Sequence, residues 1–156
     1  KENYLIVRLT KVFALEHGDG TILDDMASIL TSSGTIRAAY DQIFSVTLLS
    51  DVINAITLLQ KNNVTGVVNV SSPEVWSRYD LAVKMADCLG VDLEKVERIS
   101  LDDLEEPFLR PKNTSLVTRR LDQEVNYKFT SIEQCIEQVS NMWSKNESYS
   151  AQVNKW

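Results

Sequence analysis

Apolar positions along this chain follow two periods, and the switches between them predict the elements. Leu5–Phe13 (LIVRLTKVF) is a nearly continuous apolar run broken by Arg8 and Lys11. It reads as a buried strand whose C-terminal end turns polar. Gly18 and Gly20 mark a loop. Ile22, Met26, Ile29 and Leu30 then recur at helical spacing, and Ser33-Gly34 closes that helix. Ile36–Ala39 predicts a short strand, followed by a polar turn at Tyr40-Asp41-Gln42. Thr47 is the expected cap of the next helix, with Asp51 in its first turns. Leu49, Val52, Ile53, Ile56 and Leu59 form its expected apolar face, and Asn62-Asn63 ends it.

Gly66–Val70 (GVVNV) is a second buried-strand pattern. Ser77-Arg78-Tyr79-Asp80 has capping-box spacing with Asp in place of Glu. The helix it opens buries Leu81, Ala82, Met85, Ala86 and Leu89, and Gly90 stops it. Val96–Ser100 reads as a short strand and Leu101–Glu106 as an acidic turn or short helix. Pro107 and Pro111 bracket an extended Phe108-Leu109-Arg110, and Thr114–Thr118 is also expected to be extended. Thr130-Ser131-Ile132-Glu133 is a second capping box, opening a helix with Ile132, Ile136, Val139 and Trp143 on one face. After Trp143 the chain is polar and has no period. We expect one unit over residues 1–145 and a frayed polar tail over 146–156, with Trp156 packed onto the fold. Alternating strands and helices predict an α/β fold with parallel pairing: the end of a doubly wound sheet plus a small α/β lobe.

Composition narrows the partners. The net charge of −6 gives no basic excess for nucleic acid. No apolar run approaches the roughly 18–20 residues that span a bilayer. Cys88 and Cys135 fall inside predicted helices and read as reduced thiols of a cytoplasmic protein, since two cysteines and one histidine are too few for a metal site. No charged-then-apolar leader is present, and the chain begins almost directly on a strand-like run. We therefore expect a fragment.

Five pieces in order carry a family resemblance: Val7–Phe13; Tyr40-Asp41-Gln42 through Thr47 to Asp51-Val52; Gly66–Val70; Trp76–Ala82; and Arg110-Pro111-Lys112-Asn113 through Leu121. Together they resemble the C-terminal, substrate-binding half of an extended short-chain dehydrogenase/reductase, of the dTDP-4-dehydrorhamnose reductase and NAD-dependent epimerase type. The resemblance implies the C-terminal part of a Rossmann-like parallel sheet, a nucleotide-sugar substrate, and NADP or NAD in the full-length protein. It also implies an N-terminal Rossmann half as partner. Two motifs of that half are missing. None of the five glycines builds a Gly-rich phosphate turn. No tyrosine has lysine four residues on, the pair in which lysine lowers the tyrosine pKa for proton transfer; those positions hold Arg8, Phe44, Val83, Ser131 and Val153. This chain alone is therefore expected to bind no cofactor and to carry no catalytic residue. Lys11 stands where the family usually has an aromatic residue, and Val46 where it has proline.

The candidate substrate-binding residues are Thr10, Lys11, Arg37, Asp41, Gln42 and Arg110. Thr10 and Lys11 end a strand, where open α/β sheets hold ligands. Arg37, Arg78 and Arg110 carry forks that fit phosphate oxygens. Each also has a structural reading, as a strand end, a turn former or a surface ion pair, and Asn113 reads as a brace of the Arg-Pro turn. A non-catalytic alternative stands beside the enzymatic one: a reductase-fold domain serving a partner enzyme, as in the methionine adenosyltransferase regulatory subunit. A lobe cut from a sheet leaves an open edge, so self-association or marginal stability is expected.

Overall fold

A computed structural model describes residues 4–104 and 110–153, with backbone alone over 145–153. The first apolar run is two strands, β1 (Leu5–Leu9) and β2 (Lys11–Phe13), separated at Thr10. The break lets the run serve two sheets. β1 pairs in parallel with β6 (Gly66–Val70), whereas β2 pairs in parallel with β5 (Val46–Leu48). β3 (Ile36–Ala39) pairs in parallel with β8 (Val96–Ile99). β4 (Ile43–Phe44) and β7 (Trp76–Ser77) form a short antiparallel pair.

Helices α1 (Ile22–Thr31), α3 (Arg78–Leu89) and α5 (Ile132–Val153) surround the main core. Leu23, Met26, Leu30, Leu81, Met85, Ile132 and Ile136 are fully buried there against Phe13, Phe44 and Val46. Each such side chain contributes roughly 1.5–3 kcal/mol by leaving water. Ser77 caps α3 as its spacing predicts: its hydroxyl accepts from the Asp80 N–H at 3.0 Å. Gly90 ends α3 in the left-handed region (φ 67°), where a side chain is disfavoured.

A smaller cluster holds β1 and β6 against α2 (Leu49–Lys61) and α4 (Arg119–Val125), through Ala55, Leu59, Val68, Val70 and Leu121. Here the pattern reading is corrected in two ways. β1 is not buried: Ile6 is 49% and Leu9 45% exposed, because among the described residues β1 has β6 alone as neighbour. The buried face of α2 is Asp51, Val52, Ala55 and Leu59, whereas Leu49 and Ile53 face solvent. Asp51 turns the helix this way. Its carboxylate accepts from the Tyr127 hydroxyl and the Thr130 N–H, both at 2.8 Å.

Three caps differ from expectation. Thr47 lies in β5 and its hydroxyl serves other partners, so α2 starts at Leu49 behind Leu48, with no side-chain cap. α5 is capped by Ser131, which accepts from the Gln134 N–H at 3.3 Å, because Thr130 is committed to Asp51. α4 follows an uncapped start at Thr118, just past the Thr114–Thr118 stretch expected to be extended, where the pattern predicts no element. The backbone of α5 stays helical to Val153, since extending a nucleated helix costs little even without an apolar stripe. Glu105, Glu106, Pro107, Phe108, Leu109 and Trp156 lie outside the described residues.

Candidate functional site

The ends of β1 and β4 and the segment 110–114 enclose a cleft of about 380 Å³. It is lined by Leu9, Thr10, Lys11, Gln42, Phe44, Arg110, Pro111 and Thr114. Four of the six sequence candidates therefore meet: Thr10, Lys11, Gln42 and Arg110. They come from three segments far apart in sequence, and Thr10 follows the C-terminal end of β1, where parallel sheets place ligands. A second cleft of about 240 Å³ shares Lys11 and adds Gly20, Ile22, Asp25 and Arg78. Lys11 thus stands between two cavities, with its Nζ 5.6 Å from the Phe44 ring centroid.

The segment 110–114 is strapped in place. The Ile43 N–H donates to the Lys112 carbonyl at 2.6 Å, and the Thr114 N–H to the Ile43 carbonyl at 2.9 Å. Asn113 braces the turn by accepting from the N–H and hydroxyl of Ser115. Lys112 pairs with Asp41 at 2.9 Å and Asp102 at 2.7 Å. Asp41 also accepts from the Leu101 N–H and the Ser100 hydroxyl. The Lys112 hydrogen bond, then the Leu101 amide, hold its carboxyl down at about 2. Asp41 consequently does not line the cleft; it fixes the lip that presents Gln42 against the segment that presents Arg110. Arg37 is not in the cleft either. It lies on β3 beside Glu97, 3.5 Å away, and donates to the Asp103 carbonyl.

Electrostatics at the cleft run against the acidic average of the chain. Burial, reinforced by the nearby charge of Arg110, pushes the Arg78 guanidinium down from its ordinary value, partly offset by Asp25. Like charges held close in a partly desolvated cleft favour an anion between them. Arg78 stands outside the six candidate substrate-binding residues, although its fork fits phosphate oxygens as those of Arg37 and Arg110 do. Its signal was position, directly after a helix cap.

The loop of Gly18 and Gly20 does not build a dinucleotide cradle. Gly18 and Gly20 precede α1 as a phosphate turn would, but their N–H groups donate to Asp24 at 2.9 and 3.1 Å. A carboxylate already occupies the amides a pyrophosphate would need. His17 is exposed and rests on Trp143, with ring centroids 4.1 Å apart. Among the described residues no group of acidic, histidine or cysteine side chains could hold a metal ion, and no helix is long and apolar enough to cross a membrane.

Parallel strand pairs packed with helices, with a cleft beside the C-terminal end of β1, resemble a Rossmann-like reductase/epimerase fold. The chain belongs to the RmlD substrate-binding domain family, whose model matches residues 1–144. It is 28% identical over 125 residues to dTDP-4-dehydrorhamnose reductase of Mycolicibacterium smegmatis, covering 79% of this chain and 38% of that protein. The chain thus spans well under half the length of that curated relative. Its fold matches dTDP-4-dehydrorhamnose reductase of Bacillus anthracis, solved in complex with NADP (TM-score 0.75, 22% identity, 87% of this chain and 47% of that one). It also matches DesIV, a dTDP-glucose 4,6-dehydratase of Streptomyces venezuelae solved with NAD and TYD bound (TM-score 0.74, 15% identity, 94% and 45%). In fold, the chain is thus similar to solved sugar-nucleotide reductases and dehydratases alike. Lys11 and Val46, the two positions at which the resemblance implies a departure from the family pattern, are register partners in the β2–β5 ladder.

Proposed function

We propose that this chain is the nucleotide-sugar-binding part of an NAD(P)-dependent sugar-nucleotide reductase or epimerase and is not catalytic by itself. The observation that carries this is the joint lining of one cleft by Thr10, Lys11, Gln42 and Arg110, with Arg78 alongside. Arg110, Arg78 and Lys11 hold the diphosphate, where guanidinium forks match phosphate oxygens. Gln42 and Thr114 meet polar groups of the nucleoside or sugar, and Leu9, Phe44 and Pro111 cover apolar faces. Asp41 acts through Lys112 as a positioning residue. The reading assigns Arg37 to its ion pair rather than to the ligand.

The cofactor belongs to a second half, supplied by the same protein or by another chain. That half covers β1, whose free edge and exposed Ile6 and Leu9 are the natural continuation of the sheet. In its absence the same face favours self-association. Residues 1–145 form the binding unit and 146–156 an appended tail. Cytoplasmic placement fits the free thiols of Cys88 and Cys135.

Titrating the full chain with dTDP-glucose and with NADPH tests the proposal. dTDP-glucose is expected to bind, and Arg110→Ala to weaken it about 10-fold or more with the fold retained. Unchanged binding in Arg110→Ala, or binding of NADPH by this chain, contradicts it. A reductase-fold domain that only serves a partner enzyme predicts no dTDP-glucose binding at all, so the same titration separates the two readings.

A further inference from the structure

Beneath the cleft, polar groups of four residues close a ring through the backbone of Ser72. The Ser72 N–H donates to the Thr47 hydroxyl at 2.9 Å. The Thr47 and Thr10 hydroxyls lie 3.3 Å apart, and those of Thr10 and Ser71 2.9 Å apart. The Ser71 hydroxyl donates to the Ser72 carbonyl at 3.1 Å. Thr47, Ser71 and Ser72 are buried, and of the ring members only Thr10 lines the cleft.

Geometry alone leaves the two hydroxyl–hydroxyl bonds without a direction, but the ends of the ring supply it. A carbonyl only accepts, so Ser71 spends its single proton on Ser72. Thr10 must then donate to Ser71, and Thr47 must donate to Thr10. The Ser72 amide, which only donates, fills the acceptor side of Thr47. Every hydroxyl proton is thereby committed. Thr10 has one lone pair engaged by Thr47 and one left over. It can offer the cleft an acceptor and no donor.

Given the nucleotide-sugar reading of the cleft, on which this rests, we propose that Thr10 is a specificity-determining residue that accepts from a ligand hydroxyl or N–H. It disfavours a carbonyl, fluorine or phosphate oxygen at that point. Phosphates are thereby directed to Lys11, Arg78 and Arg110, and the hydrogen-bond donor of the ligand to the end of β1. Val46 and Thr47 on β5 hold the ring in register with Lys11 and Val12, so the same strand pair sets both the cationic and the accepting positions.

The test uses dTDP-glucose, five analogues each with one hydroxyl of the glucose or the deoxyribose replaced by fluorine, and the analogue methylated at N3 of thymine. Fluorine keeps the size of a hydroxyl but cannot donate, and methylation removes the donor of the base. The two arms separate a sugar donor from a base donor. In the unaltered chain at least one analogue is expected to bind about 3- to 10-fold more weakly than dTDP-glucose. In Thr10→Val that analogue and dTDP-glucose are expected to bind within about 2-fold of each other. Ser71→Ala releases the Thr10 proton toward the cleft, so the analogue's deficit is expected to shrink in that variant. Equal binding of all analogues to the unaltered chain, or a deficit that persists in Thr10→Val, overturns the proposal while leaving the nucleotide-sugar reading intact. Failure of dTDP-glucose itself to bind overturns both.

Discussion

The α1–α3–α5 lobe and the β1–β6 lobe carry the same kind of apolar side chains and bury them to different degrees. In the helical lobe α1, α3 and α5 pack on one another and on the strands beside them, and Leu81, Met85 and Ile136 are fully enclosed. In the other lobe α2 and α4 cover one face of the β1–β6 pair, and Ile6 on the opposite face is half exposed. One lobe is enclosed and the other is covered on one face. The cleft lies at their seam, with Leu9 and Thr10 from the open side and Phe44 and Gln42 from the closed side. A ligand in the proposed site would lie between an enclosed wall and a half-covered one.

Matched truncations break or sharpen this contrast. Leu81→Ala is expected to cost about 2–5 kcal/mol in urea unfolding, the usual cost of a cavity in a closed core. Ile6→Ala is expected to cost about 0.5 kcal/mol or less, since little burial is lost. Equal costs would erase the distinction between the lobes. Next in size is Asp51→Ala. It leaves the Tyr127 hydroxyl and the Thr130 amide without their acceptor and is expected to cost about 1–3 kcal/mol. A neutral Asp51→Ala would mean that this carboxylate does not set the face of α2.

A smaller effect concerns pH. Asp41 titrates near 2 in the folded chain against an ordinary 3.8, so between those values the unfolded chain binds more protons. The contribution of Asp41 is full above about pH 4 and is lost as pH falls through about 2. Asp41→Asn is expected to flatten the stability profile in that window, measured by thermal melts at stepped pH. A profile as steep as that of the unaltered chain would contradict the Asp41–Lys112 lock. The smallest effect is chemical. Burial pushes the Cys135 thiol up to about 12 and also raises Cys88, which is only partly buried. Iodoacetamide at pH 8 is expected to modify Cys88 slowly and Cys135 only on unfolding. Prior modification of Cys135 would show that the α5 side of the closed lobe opens.

The same contrast explains what the sequence disclosed. Elements of the closed lobe obey local rules: Ser77 caps α3, Gly90 stops it, and the i, i+3, i+4 pattern of α5 is the buried one. The open lobe does not. Leu49 and Ile53 read as core and lie in solvent, because the face of α2 is set by Asp51 reaching Tyr127 and Thr130, more than seventy residues away. Thr47 has the chemistry of a helix cap and is used instead in a hydroxyl ring formed by three separate segments. In the cleft, Thr10, Lys11, Gln42 and Arg110 were legible from strand ends and the Arg-Pro turn. Arg37 was not separable from them by type alone; its place beside Glu97 depends on the β3–β8 register. Lys112, which locks the lip through Asp41 and Asp102, had no local signal.

The most direct test of the central claim is an amide chemical-shift map of the chain titrated with dTDP-glucose. The account predicts that perturbations concentrate at Leu9–Lys11, Gln42–Phe44, Arg78 and the segment 110–114. Perturbations centred instead on the separate cleft lined by Pro73, Glu74 and Asn126–Phe129, or none at saturating ligand, would contradict it.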